Sequence, residues 1–85
     1  MTIPEIISFA TLCGYVEHHR NIASKDAYKI YHVRIKINKG DAYFTYKQNI
    51  QTGKAKIIDG SIYFGDDRTK ITFERLMDFV GLTTD

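Results

Sequence analysis

The strongest structural signal in the sequence is the run of residues 28–37, in which two kinds of side chain alternate. From residue 31 onward the odd positions of this run are apolar or aromatic, whereas the even positions carry the basic side chains of His32, Arg34 and Lys36. Alternation with a period of two places the two kinds on opposite faces of a β-strand. The run therefore predicts a strand with one buried face and one face in water.

A second alternating run, residues 42–50, follows the turn sequence Asn-Lys-Gly-Asp and predicts that the two runs form a β-hairpin. Lys39-Gly40 is expected to be the two-residue loop, because glycine readily adopts the positive φ that such turns require. In this register the apolar side chains of both strands share one face and the basic ones share the other. A slip of one residue would place apolar and basic side chains on the same face. The apolar face pairs Ile37 with Ala42, Ile35 with Phe44 and Val33 with Tyr46. The basic face pairs Lys36 with Tyr43, Arg34 with Thr45 and His32 with Lys47.

An amphipathic helix is predicted over residues 3–13. Thr2 followed by Glu5 is typical of a capping box, in which two side chains bond to free backbone amides at the helix start. Gly14 predicts the helix end, since glycine takes the left-handed conformation that terminates many helices. The residues expected on the buried side are Ile3, Ile6, Ile7, Phe9, Ala10, Leu12 and Cys13.

Residues 15–22, which begin Tyr-Val-Glu-His-His-Arg, are expected to form a strand. A helix that continued past Gly14 would place Glu17 in the middle of the apolar side, and a longer, kinked helix is the alternative. In a strand His18 and His19 point to opposite faces, so the pair cannot readily bind one metal ion. No zinc-type spacing accompanies the pair, and no metal or cofactor is expected in the protein.

Two further short strands are predicted after the hairpin. Thr52-Gly53 and Asp59-Gly60 are typical turn sequences, and they leave strands near residues 54–58 and 61–64. The following stretch, residues 65–72, is expected to end the extended structure.

A C-terminal helix is expected to begin after Thr72, whose side chain can cap it, and to end at Gly81. Asp66 and Asp67 would then lie just before the helix N-terminus, where the helix dipole favours negative charge. The residues expected on its buried side are Phe73, Leu76, Met77 and Val80.

These elements predict an α+β fold in a single domain, residues 1–85. We expect an N-terminal helix, an antiparallel β-meander of four to five strands, and a C-terminal helix. Both helices need a surface on which to bury their apolar sides, and the apolar face of the hairpin provides one. With both helices on one sheet face, the opposite face stays in contact with water.

Composition excludes several classes of protein. Cys13 is the only cysteine, which excludes an intrachain disulfide and a multi-cysteine zinc site, and its position predicts a small core residue rather than a nucleophile. No apolar run approaches the roughly 18–20 residues that span a bilayer, so a cytoplasmic protein is expected. A chain of 85 residues also favours a surface site over a deep enclosed one.

Charge is unevenly distributed along the chain. Between Lys29 and Lys56 there are seven basic residues and one acidic residue, Asp41, whereas the remainder has five basic and nine acidic residues. This asymmetry indicates a partner-facing surface on the basic and aromatic face of the sheet. The residues expected to contact the partner are Tyr28, His32, Arg34, Lys36, Tyr43 and Lys47.

A small non-enzymatic interaction module is the function that this surface favours. Tyr and Arg are enriched at the hot spots of protein interfaces, and the expected partner is a protein or a protein–nucleic-acid assembly. With no catalytic motif in the chain, we expect a regulator or an inhibitor, of the kind that phages and other mobile elements encode. A homodimer that pairs through a sheet edge is a further expectation about partners.

Two alternatives involve nucleic acid directly. Exposed Tyr rings stack on bases while Lys and Arg neutralise phosphates, so the same face suits single-stranded nucleic acid or RNA. A metal-independent nuclease would use His32 as general base, Arg34 or Lys36 to stabilise the phosphorane, and Tyr43 to position the base. A net charge of only +2 is low for a dedicated nucleic-acid-binding protein, which favours the protein partner.

Overall fold

The computed structural model describes residues 1–21 and 27–82. Its helices are α1 (Ile3–Cys13) and α2 (Phe73–Phe79). Its strands are β1 (Tyr15–Arg20), β2 (Tyr28–Ile37), β3 (Gly40–Asn49), β4 (Ala55–Phe64) and β5 (Asp67–Lys70). The strands form one antiparallel sheet in the order β1-β2-β3-β4-β5, so the predicted α+β fold with a helix at each end is confirmed.

Helix α1 has the bounds that its sequence predicts. The Thr2 hydroxyl accepts a hydrogen bond from the Glu5 amide at 3.3 Å, and the Glu5 carboxylate accepts one from the Thr2 amide at 3.1 Å. These two bonds complete the predicted capping box. The buried side chains of the helix are those of Ile3, Ile6, Ile7 and Ala10.

The expectation that Leu12 and Cys13 are buried is wrong. Leu12 is 83% exposed, because at 100° per residue it lies on the side of α1 opposite to the buried residues. Cys13 is also exposed, although its Sγ lies 3.8 Å from the carbonyl oxygen of Val80. The buried stripe of α1 is therefore narrower than the apolar pattern of its sequence, because only one side of the helix faces the sheet.

The strand expected after α1 is confirmed as β1, which pairs with β2 along its whole length. Position 22, the last residue of the predicted strand, lies outside the described residues. His18 lies opposite Val33, whereas His19 lies opposite His32, so the two neighbouring histidines face opposite sides of the sheet as predicted.

β2 and β3 pair in a register that differs by two residues from the predicted one. Ile35 lies opposite Ala42, and the two-residue loop is Asn38-Lys39 rather than Lys39-Gly40. Because the difference is an even number of residues, every side chain keeps its predicted face although its partner changes. The other pairs are Ile37 with Gly40, Val33 with Phe44, Tyr31 with Tyr46, Lys36 with Asp41, Arg34 with Tyr43 and His32 with Thr45.

Gly40 is needed for the approach of two strands and not for the turn. It belongs to β3, and a Cβ at this position would overlap the backbone carbonyl oxygen of Tyr63 on β4. The glycine that suggested a loop at Lys39-Gly40 therefore serves a contact with a distant part of the chain, which explains the error in register.

The turn expected at Asp59-Gly60 is also wrong, because β4 continues through these residues as one strand. The residues of β3 that lie opposite Ile57 and Asp59 are adjacent in sequence. Ile58 is therefore the extra residue of a β-bulge, which locally increases the twist of β4.

Extended structure continues beyond Gly65, contrary to the prediction, as the short strand β5. Asp66 lies in the turn between β4 and β5, and Asp67 is the first residue of β5. Neither carboxylate precedes a helix, so the helix dipole does not explain this acidic pair.

Helix α2 is capped as predicted at both ends. The Thr72 hydroxyl accepts a hydrogen bond from the Arg75 amide at 3.1 Å. Gly81 has a φ of 90°, and the amide of Leu82 bonds back to the carbonyl oxygen of Met77 at 2.7 Å, which is the Schellman arrangement. Leu76, Met77 and Val80 are buried as expected, but Phe73 is 36% exposed, because it begins the helix at the rim of the core.

One hydrophobic core lies between the two helices and a single face of the sheet. The helical residues of the core pack against Val33, Ile35, Ala42, Phe44, Tyr46 and Ile62. We call the face that carries these six residues the inner face, and the opposite face the outer face. Both helices thus lie on one side, and the outer face carries no helix within the described part of the chain.

Candidate interaction surface

The outer face brings together side chains from all five strands. Because alternate residues of a strand share a face, the pairing of the strands determines its members. Its residues are Tyr15, Glu17, His19, Tyr28, Ile30, His32, Arg34, Lys36, Asp41, Tyr43, Thr45, Lys47, Asn49, Lys56, Asp59, Ser61, Tyr63, Arg68 and Lys70.

All six residues predicted to contact a partner lie on the outer face. Four of them, Tyr28, His32, Lys36 and Tyr43, are exposed, whereas Arg34 and Lys47 are half-buried. Their role in binding stays a prediction, but the structure places them side by side on two adjacent strands.

Several members of the outer face lie outside the predicted set. Tyr15 is 58% exposed at one edge of the sheet, and the Tyr63 ring lies edge-on to Tyr43 with a centroid separation of 5.9 Å. Glu17 and His19 add a carboxylate and an imidazole from β1. Hairpin alternation cannot find these residues, because they reach the face only through the pairing of β1 with β2 and of β3 with β4.

Two cations of the outer face lie over tyrosine rings. The Arg34 guanidinium carbon is 5.2 Å from the centroid of Tyr43, and the Lys47 ammonium nitrogen is 4.7 Å from the centroid of Tyr28. Both distances are within the range of cation–π attraction. Each ring therefore has a cation over one side, and each cation has an ordered position.

One hydrogen-bond donor of Arg34 has no partner in the described part of the chain. Its Nε is buried, as is Oδ1 of Asp41, and neither atom has a hydrogen-bond partner among the described residues. A guanidinium presents five N–H donors in a fixed fork that fits a carboxylate. Because this Nε is buried, it is enclosed within the outer face and is not accessible to an acceptor on a partner.

Carboxylates are interspersed with the cations of the outer face. The Tyr15 hydroxyl donates to Glu17 at 3.0 Å, which raises the pKa of this tyrosine above its usual value. Glu17 also lies 3.8 Å from Nε2 of His19. On the neighbouring strands, Nδ1 of His32 is 3.0 Å from the Thr45 hydroxyl, which orients the ring. The surface is thus mixed in charge and ordered by local contacts.

His18 lies on the side of the sheet that faces the helices. Its Nε2 is 2.7 Å from the hydroxyl of Tyr46, and its ring centroid is 5.0 Å from that of Tyr31, which stacks on Tyr46. Burial raises the pKa of Tyr46 to about 12, so its hydroxyl stays protonated at neutral pH and shares a hydrogen bond with the imidazole of His18. This histidine therefore supports the packing of the sheet and is separate from the outer face.

The stability of the fold is expected to decrease as the pH falls below 6.5. Loss of water around the His18 ring, together with the nearby His19, lowers the pKa of His18 from its ordinary value of 6.5. A lowered histidine pKa stabilises the folded state above pH 6.5, and this contribution is lost as the pH falls toward the folded-state pKa. Urea unfolding of the protein and of His18→Gln at several pH values between 7.5 and 5 should show a shallower pH dependence in the variant.

His32→Gln is the control for this measurement, since His32 lies on the outer face and contacts the Thr45 hydroxyl instead of Tyr46. It should retain most of the pH dependence of the unmodified protein. If His18→Gln and His32→Gln flatten the pH profile equally, the contact of His18 with Tyr46 is not the origin of the effect.

Two kinds of functional site are not found in the part of the chain that the structure describes. Across residues 1–21 and 27–82, no group of three or more His, Cys, Asp and Glu side chains is arranged to hold a metal ion. Over the same residues, neither helix has the length and apolar character needed to cross a membrane.

Comparison with known proteins gave no match: no family model, no curated protein and no solved structure is significantly similar to the chain. The chemistry of the outer face is therefore the basis on which a function can be proposed.

Proposed function

We propose that the protein is a small non-enzymatic interaction module that binds a protein, or the protein part of a protein–nucleic-acid assembly, through its outer face. The observation that carries this proposal is a sheet face that no helix covers among residues 1–21 and 27–82, and on which tyrosines and cations hold one another in place. Its role is that of a regulator or inhibitor of the partner, the kind of small protein that phages and other mobile elements encode. A single cysteine suits a reducing compartment, so the proposed place of action is the cytoplasm.

The ordered state of the tyrosines favours a protein partner. Tyr and Arg supply much of the binding energy at protein interfaces, because large side chains that are already fixed lose little entropy on binding. Tyr43 is contacted by Arg34 over its ring and by Tyr63 at its edge, and it is still 42% exposed. Such a residue is a preformed anchor for a pocket on the partner.

The distribution of charge also favours a protein. Cations of the outer face alternate with Glu17, Asp41 and Asp59, whereas a backbone of phosphates is best matched by a continuous basic surface. Arg34 and Lys36 lie on one strand, two residues apart, and point to the same side. We expect them to pair with acidic side chains or backbone carbonyls of the partner.

Direct binding of single-stranded nucleic acid or RNA is the second candidate. It is favoured by the presence of basic residues on four of the five strands and by the position of His19 directly opposite His32. A metal-independent nuclease is the third candidate, with His32 as general base, Arg34 or Lys36 to stabilise the phosphorane and Tyr43 to position the base. Against both, the cations over Tyr43 and Tyr28 occupy ring faces on which bases would have to stack.

Capture of the partner by the tagged protein is expected to be lost when Arg34→Glu is combined with Lys36→Glu. Reversal of two adjacent cations should repel the acidic groups of the partner and lower its recovery by about tenfold or more. The measurement is affinity capture from a lysate of the source organism, with and without nuclease treatment. Capture that survives nuclease treatment supports the protein partner, and capture that disappears supports nucleic acid.

Arg20→Glu combined with Arg75→Glu is the matched control, since it changes the charge equally at exposed residues away from the outer face. It should capture the partner as the unmodified protein does. Thermal unfolding of both double variants verifies that they are folded. If the Arg34 and Lys36 variant is folded and still captures the same partner, the outer face is not the binding surface.

A further inference from the structure

One end of the outer face carries a hollow that is rich in basic side chains. It lies where β3 turns into β4 and has a volume of about 360 Å³. Lys47, Lys54 and Lys56 line it, together with the side chains of Tyr28 and Asn49. Among the described residues, no aspartate or glutamate belongs to its lining. The charged groups around this hollow are therefore all positive.

The pairing of β3 with β4 brings the three lysines together. Lys47 lies directly opposite Lys56. The amide of Asn49 bonds to the carbonyl oxygen of Lys54 at 2.8 Å, so Lys54 continues the same face by one more row. Like charges at opposite positions of neighbouring strands destabilise a sheet. A bound anion would relieve this repulsion.

The three ammonium groups are not neutralised within the described part of the chain. There, Lys47, Lys54 and Lys56 form no salt bridge, and their ammonium groups donate no hydrogen bond. The Lys47 ammonium lies over the ring of Tyr28, which orders it at the wall of the hollow. Asp59 is the next residue of β4 on the outer face, but it lies opposite Thr45 and does not line the hollow.

The turn between β3 and β4 fixes the backbone around the hollow. Oδ1 of Asn49 accepts hydrogen bonds from the amides of Gln51 and Thr52 at 2.8 Å and 3.0 Å. The Thr52 hydroxyl in turn accepts one from the amide of Lys54 at 3.3 Å. The carboxamide nitrogen of Asn49 has no hydrogen-bond partner among residues 1–21 and 27–82, so it adds a neutral donor to the three cations.

We propose that this basic hollow is a binding site for a phosphate monoester. Such a group carries a charge of about −1.5 to −2 at pH 7 and three acceptor oxygens. Lysine ammonium groups bind phosphate as point charges, and three of them around one hollow match a compact dianion. An extended phosphate backbone is a poorer match, because Asp59 interrupts the basic surface beyond Lys56.

A phosphorylated side chain of the protein partner is one source of this group, and a free phosphate monoester is the other. The first source rests on the proposed function, because Tyr28 and Lys47 belong to the surface proposed for the partner. A titration of the purified chain needs no partner. Failure of this site and failure of partner capture through Arg34 and Lys36 are therefore separate results.

Titration of the purified protein with phosphate compounds, followed by the NMR shifts of backbone amides, tests the proposal. The probes are inorganic phosphate and a blocked tripeptide with phosphoserine between two glycines, and sodium chloride of equal ionic strength is the blank. Both probes should give saturable shifts in residues 47–49 and 52–56, and the unphosphorylated tripeptide should give none. Tighter binding of the phosphorylated tripeptide assigns the source to a side chain of the partner, whereas tighter binding of inorganic phosphate assigns it to a free ligand.

Lys54→Gln combined with Lys56→Gln should weaken the binding of both probes by about tenfold or more, because two of the three cations are removed. Arg20→Gln combined with Lys70→Gln is the matched control. It removes the same charge from exposed residues outside the hollow, so it should bind the probes as the unmodified protein does. The amide spectra of the two double variants verify that both are folded.

Three results would overturn the proposal. The first is that the shifts do not saturate with either probe. The second is equal weakening in the two double variants, which would mean that the net charge of the chain attracts the phosphate and not the hollow. The third is tighter binding of a dinucleotide that carries one phosphodiester and no terminal phosphate, which would assign the hollow to a nucleic-acid backbone.

Discussion

Leu76→Ala is expected to lower the free energy of unfolding by about 2–5 kcal/mol, the range observed when a large buried side chain leaves a cavity. Leu76 has no exposed surface and lies in α2 against the inner face. A domain of this size has a total stability of about 5–15 kcal/mol, so the variant should lose a large part of it. Urea unfolding followed by circular dichroism measures the change.

Leu12→Ala is the control of the same chemistry in the other helix. Leu12 is 83% exposed, so its replacement removes little buried area and should change the stability by less than about 0.5 kcal/mol. The apolar pattern of the sequence predicts that both leucines are buried, whereas the structure separates them. Equal losses in the two variants would mean that the side of α1 that faces the sheet has been misplaced.

Gly60→Ala is expected to destabilise the protein by about 2–4 kcal/mol, because the new methyl group has no space. A Cβ at position 60 would overlap the backbone carbonyl oxygen of Tyr43, and it would lie 2.5 Å from Cβ and 2.7 Å from Cα of Phe44. Two of these three atoms belong to the backbone of β3 and cannot move aside without disturbing the sheet. The loss should appear as a lower midpoint of urea unfolding.

Gly53→Ala separates this steric effect from the ordinary cost of replacing a turn glycine. Gly53 has a φ of 75°, and no heavy atom lies within 4 Å of the position that a Cβ would take, so its replacement should cost only about 1 kcal/mol of backbone strain. If Asp59-Gly60 formed the turn that the sequence suggests, the two glycine variants would behave alike. A clearly larger loss for Gly60→Ala supports the continuous strand β4.

Local patterns in the sequence predict most of the secondary structure. Thr2 with Glu5 and Thr72 with Gly81 mark the helix ends because capping involves only residues within one or two turns. The alternation in β2 and β3 likewise assigns each side chain to a face, and the assignment survives a register error of two residues. These features are fixed by contacts between near neighbours, which is why a single sequence is sufficient to find them.

The errors concern residues whose role depends on distant parts of the chain. Gly40 and Gly60 resemble turn residues, but each is needed where another strand passes close to its backbone. Leu12 and Phe73 belong to apolar patterns, but neither faces the enclosed part of the core. The hydropathy of a side chain indicates that its burial is favourable. Whether another element covers that side chain depends on the tertiary structure.

The candidate surface shows the same division between the sequence and the tertiary structure. Alternation alone places Tyr28, His32, Arg34, Lys36, Tyr43 and Lys47 on one face, because the period of a strand is a local property. Only the order of the five strands adds Tyr15, Glu17, His19 and Tyr63, and only the packing of both helices on the inner face leaves this surface open. Local alternation is therefore sufficient to assign the side chains of each strand to a face. The order of the strands and the choice of the face that the helices cover depend on contacts between residues far apart in the chain, so they are visible only in the folded protein.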